Sequence, residues 1–347
     1  MSADPDVDAL LDPESDQHAP RDIAPAALTE AGDAPYTAAT AAEEDPAGVH
    51  VIASPELVPY DPAQHQESAP ETPDSFHSAP WLRPRFVPNL GDSAIFIVLT
   101  LVIMIAVGGL TVWGGKRLHL FGNEGRVALE NDARLSIPSQ AVEYLAVFAL
   151  SSMLFAALWR QPFLKGVHWN AAAVRGRLRW LIPIGIAVGF LVGLGGDFLP
   201  MPKDAPIVQD MMNTSAGAWL MFFFSFTGAP LMEELAFRGF MLPAFVNAFR
   251  WMSERSYLPS GAARWVGIPF SVLLTSACFA WMHSPQVSGS WGPVLLIGIV
   301  SLVLCIVRLA LDSVLAGAVV HAAYNFTLFS GILVSTSAFR HLDKLKG

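Results

Sequence analysis

Cysteine is nearly absent from this 347-residue chain: Cys278 and Cys305 are its only two, and both sit inside apolar runs. Two thiols so placed make neither a disulfide framework nor a thiolate zinc site. A His-Glu-x-x-His arrangement is missing as well, so that helical zinc signature is not present. Charge is scarce. Asp, Glu, Lys and Arg make up 15% of the chain and hydrophobic residues 53%. That is too apolar for an ordinary soluble domain and points to a multi-pass membrane protein. No signal peptide is readable in the acidic start, Met1-Ser2-Ala3-Asp4-Pro5-Asp6. Insertion is therefore expected to be directed by the first internal hydrophobic segment.

What charge there is lies unevenly. Residues 1–90 hold 17 acids and 3 arginines, whereas residues 91–347 hold 13 acids and 18 bases. The acidity belongs to a tail, and no nucleic-acid partner is implied. The same tail carries 14 of the 26 prolines and no sustained apolar periodicity. Such a stretch buries too little apolar surface to offset its ordering entropy, so residues 1–90 are expected to be disordered.

About 20 apolar residues cross a bilayer as one helix. Runs of that kind occur at 93–113, 137–159, 181–199, 266–283, 291–311 and 313–334. The run 216–249 is too long for one simple span, and Pro230 and Pro243 are expected to break or kink it. The predicted fold is all-α: a polytopic transmembrane bundle of about seven to eight helices behind a disordered N-terminal tail. Its expected parts are N-terminal spans over 91–179, a core over 180–335 and a C-terminal tail over 336–347. Trp113, Trp159, Trp180, Trp219, Trp251, Trp265 and Trp291 fall near the proposed ends, as an interfacial belt requires. The basic loops 160–179 and 250–264 place the N-terminus inside, although Lys116, Arg117, Arg126 and Arg134 in the first loop oppose this. Gly185, Gly189 and Gly193, spaced by four, predict a smooth face for close helix packing.

Three of these apolar segments carry polar residues at helical spacing. The first is Glu233-Glu234-x-x-x-Arg238. Glu234 and Arg238 share a helix face and are predicted to pair, while Glu233, rotated by about 100°, is left to point elsewhere. The second is His283, which closes an apolar run just before Ser284-Pro285. The third is His321 and Asn325, one turn apart on one face. Ionisable groups at membrane depth face a protein interior or a water-filled cavity, and mark candidate functional sites. The set supplies a base, imidazoles, a carboxamide donor and an arginine, which suits peptide hydrolysis. It equally suits a zinc ion with an open position. Spacing alone does not choose between the two. Glu143, inside the second span, has no assigned role.

Glu233-Glu234-x-x-x-Arg238, Phe279-x-x-x-His283 and His321-x-x-x-Asn325, in that order on separate spans, resemble the type II CAAX prenyl endopeptidase family. The wider group is the CPBP, or Abi, intramembrane proteases, which also has bacteriocin-processing and immunity members. Pro230 and Phe237-Arg238-Gly239 fit the same pattern, and the resemblance spans roughly residues 180–335. It implies an intramembrane endopeptidase. In that scheme Glu233 and His283 activate water, Glu234 and Arg238 hold the site together, and His321 and Asn325 donate to the oxyanion. The mechanism implied needs no obligatory zinc; Glu233, His283 and His321 are the ligands if a metal binds. The substrate implied is a peptide or a membrane-protein segment in the lipid bilayer, with or without a prenyl group. The expected location is a bacterial cytoplasmic membrane. A non-enzymatic immunity or scaffold protein is the alternative, which the complete set of motifs disfavours. A transporter is the third class, and no repeat between the halves supports it.

Overall fold

The computed structural model describes residues 86–119, 132–202, 206–259 and 261–345. The expected disorder of the tail falls almost wholly outside these residues, as does Arg126 in the first loop. All regular elements among the described residues are helices. The longer ones are α1 (Leu90–Arg117), α2 (Ala133–Trp159), α3 (Leu178–Gly196), α4 (Ser215–Phe226), α5 (Gly228–Glu234), α6 (Leu242–Glu254), α7 (Ile268–Met282), α8 (Trp291–Leu311) and α9 (Val314–Ser335).

Seven stretches are long and apolar enough to cross a membrane, with Ser215–Glu254 counted as one. The protein is thus an integral multi-pass membrane protein. A straight helix of 40 residues would run about 60 Å, twice the ~30 Å of hydrocarbon. This stretch is not straight. Thr227 (φ −115, ψ −83) separates α4 from α5. Seven residues of π-helix, Leu235–Met241, then separate α5 from α6. Pro243 follows that π turn, and Pro269 follows a second one at Ala263–Gly267. The reason is common to both places. Proline has no N–H and its ring crowds the carbonyl four residues back, so the turn before it widens. The run is thus interrupted just before each proline: Pro243 follows the π turn, and Pro230 sits in the first turn of α5 after the break at Thr227, where a missing N–H costs nothing.

Helix ends are set locally. Asn89 and Asp92 form a reciprocal capping box on α1, and Ser313 and Thr214 cap α9 and α4 through their hydroxyls. The chain is already anchored at residues 86–89: Pro88 O accepts from Asn247 Nδ2 at 2.9 Å, and Arg250 lies 4.6 Å over the Phe86 ring.

Helix α9 is the centre of the bundle and packs on α3, α4, α5 and α8. Gly185 and Gly189 of α3 make this approach work. A Cβ on Gly185 would stand 2.4 Å from Val320 O, and one on Gly189 would stand 2.8 Å from Thr327. Gly193 departs from the expected triad, with open space where its Cβ would be. Trp159 departs from the expected belt. It is buried with Phe155, Phe163 and Phe240, because Gly166 leaves room for its ring. The other six tryptophans are exposed near helix ends. The residues after α9, read from sequence as a tail, fold back: Phe339 is buried beside Met212, Ala218 and Phe222. An aromatic side chain finds more contacts there than in solvent.

Candidate active site

The site is built where α5, its π turn, α7 and α9 meet. Glu234, the last residue of α5, and Arg238, inside the π turn, are both fully buried. Arg238 Nη1 donates to Glu234 Oε1 at 3.0 Å. Its Nη2 donates to Ser301 Oγ at 2.6 Å and Ser301 O at 3.1 Å, and its guanidinium lies 4.6 Å over the Phe279 ring. A buried charge is tolerated only when paired and hydrogen-bonded, and this one has a carboxylate, two oxygens and a π face. His321 Nδ1 donates to the same Glu234 oxygen at 3.0 Å. Glu234 Oε2 has no partner among the described residues and faces Gly317, whose absent side chain leaves it room.

Glu233 points the other way, as its rotation on the helix predicts. Its side chain is 18% exposed, against 0% for Glu234. Its Oε2 stands 3.8 Å from His283 Nε2 and 3.7 Å from His321 Nε2. Each imidazole has its other nitrogen committed. His283 Nδ1 donates to Phe279 O at 2.8 Å, and His321 Nδ1 to Glu234. With Nδ1 donating, each ring has only its Nε2 left to face Glu233. The Phe279 ring lies against both imidazoles, at 4.5 Å from His283 and 5.9 Å from His321. Asn325 Nδ2 donates to Ser225 O at 2.7 Å, tying α9 to α4 and leaving a second amide hydrogen on the same nitrogen.

The structure thus brings Glu233, Glu234, Arg238, His283 and His321 into one cluster, with Asn325 one turn beyond His321. No group of three or more His, Cys, Asp and Glu side chains among the described residues has the arrangement to hold a metal ion. Glu143 is half-buried on α2, outside this cluster. Sequence reasoning missed Ser301, Gly317 and Arg308. Arg308 is the one charge in the apolar run of α8, which was signal enough. Ser301 and Gly317 had no such mark; small residues in a helix acquire meaning only from what lies opposite.

A cavity of about 330 Å³ lies apart from the cluster, lined by Phe86, His168, Asn247, Arg250, Arg308 and Asp312 among others. Asp312, just beyond the end of α8, accepts from Arg308 Nη1 at 2.8 Å and from His168 Nδ1 at 2.9 Å. Burial pushes its carboxyl up, but these two donors outweigh burial and hold it below the ordinary carboxylate range.

Fold and site together define a polytopic membrane protein with an internal carboxylate–imidazole centre. Residues 215–327, from α4 into α9, match the family of Type II CAAX prenyl endopeptidase Rce1-like proteins. This match, over about a third of the chain, supports a CAAX-type intramembrane peptidase at family level. Comparison with curated proteins and with solved structures returned no match.

Proposed function

We propose that the protein is a glutamate-dependent intramembrane endopeptidase, and that Glu233 is its general base. One observation carries this reading: two imidazole Nε2 atoms converge on Glu233 Oε2 at 3.8 and 3.7 Å. At such separations one water can touch the carboxylate and an imidazole together. Glu233 takes the proton as this water attacks the peptide carbonyl, with His283 orienting the same water. The proton then passes by way of Glu233 or a neighbouring imidazole to the leaving amine. His321 donates to the oxyanion once its Nε2 carries a proton, and the second amide hydrogen of Asn325 is the other donor. Glu234 and Arg238 do not touch substrate. They fix the rotamers of His321 and of the π turn.

No metal is required in this scheme, and no step passes through one. Prenylated C-terminal peptides are the first substrate class to offer, since the matched family is described by them.

The test is proteolysis by purified, detergent-solubilised protein against matched prenylated and unprenylated peptides, with and without a strong chelator. Wild type is expected to cleave with chelator present, and Glu233→Gln to insert and fold but lose cleavage. Full activity in Glu233→Gln removes the base. Loss to chelator with recovery on adding zinc turns Glu233, His283 and His321 from proton carriers into ligands.

A further inference from the structure

We infer that Arg308 is a positioning residue for this site, acting on the backbone of the π turn that carries Arg238; the inference rests on the peptidase reading above. In an α-helix the carbonyl of Arg238 would accept from the N–H of Leu242, and in a π-helix from that of residue 243. Neither donor exists. The N–H of Leu242 is given to Phe237 O, in π register. Residue 243 is proline and has no N–H. The carbonyl is orphaned at the point where the chain passes from π back to α geometry. Arg308 supplies the missing donor, with its Nε 3.2 Å from Arg238 O.

The rest of the Arg308 side chain is arranged to keep it there. The residue is 4% exposed. Its Nη1 donates to Asp312, which in turn accepts from His168, so that two loop residues, one directly and one through it, fix the guanidinium. The His168 carbonyl also accepts from Val314 N at 3.1 Å, holding these loops together across the start of α9. Seven residues away on the same face of α8, Ser301 holds the Arg238 side chain. Helix α8 therefore grips Arg238 twice, by guanidinium and by carbonyl. An orphaned buried carbonyl would draw the turn back toward α register, because each such group left unmade is costly. That shift rotates Arg238 relative to Glu234 and moves the carboxylate that His321 leans on.

The proposal has a distinctive consequence. Pro243→Ala returns an N–H at the position that reaches Arg238 O in π register, so it should make Arg308 less necessary. The experiment is a cycle of wild type, Arg308→Leu, Pro243→Ala and the double variant, read by peptide cleavage and by thermal unfolding in detergent. Arg308→Leu is expected to lower kcat about tenfold or more with KM little changed, since small misplacements of catalytic groups are expensive in rate. The loss should be smaller in the Pro243→Ala background, and the fall in Tm smaller there too. If Arg308→Leu does not accumulate folded, Arg308→Lys takes its place in all four chains, because its single ammonium cannot serve Arg238 O and Asp312 in the same fork. Equal losses in both backgrounds overturn the inference, as does a rise in KM with unchanged kcat. Should wild type cleave nothing, the peptidase reading fails on its own, and the Tm cycle still judges whether Arg308 and residue 243 serve one carbonyl.

Discussion

Glu233 and Glu234 are adjacent in the chain and opposite in circumstance. A single step along a helix separates a carboxylate with two hydrogen bonds on one oxygen from one that faces two imidazole Nε2 atoms. The distinction depends on Gly317 as much as on the acids. A Cβ there would stand 2.6 Å from Glu234 Oε2, and that carboxylate is not free to swing away because its other oxygen is held by Arg238 and His321. Gly317→Ala is therefore expected to cost roughly 1–3 kcal/mol of stability as overpacking. Displacing the Glu234–His321 pair by about 1 Å should reduce kcat on the order of a hundredfold. Melting curves and single-turnover cleavage of the same preparation check both. An unchanged rate at lowered Tm would confine Gly317 to packing.

Among the elements, the α3–α9 contact does the most to place the site. It presses glycines of one helix onto backbone and small side chains of the other, and in lipid this close approach is the main source of attraction between helices. Gly185 meets Val320 O, one residue before His321. Gly185→Ala must push α9 away, and is expected to destabilise the protein by roughly 1–3 kcal/mol and lower activity with it. Gly193→Ala on the same helix stripe meets nothing within 4 Å and should leave both within error, which makes it the matched control. The π turn is the other element that matters. Its widened geometry leaves a carbonyl without a donor, and α8 provides one from outside the helix.

For the molecule as a whole, if the seven candidate spans cross in alternation, the loops after α2 and after α6 share one face of the membrane and His283 lies at the other. The basic residues of those two loops favour the cytoplasmic side. Single-cysteine labelling in intact cells, in a chain without Cys278 and Cys305, tests this. A cysteine at Ser256 should be shielded from an impermeant reagent and one at Gln286 should react. The reverse pattern would turn the protein over without touching the site.

Sequence alone determined a great deal here. Long apolar runs force helices, because in hydrocarbon every backbone group must be satisfied within its own segment. The price of intramembrane charge singled out Glu233, Glu234 and Arg238, and helical spacing paired the last two while turning Glu233 away. Only the tertiary structure decided what these residues meet. Nothing in the spacing says that His283 and His321 bring their Nε2 atoms to one oxygen, that Trp159 leaves the interface for the core, or that Gly193 faces open space while Gly185 does not. Such facts depend on the angle and depth at which separate helices pack. That geometry is set by side-chain volumes on both surfaces at once, which no single stretch of the chain carries.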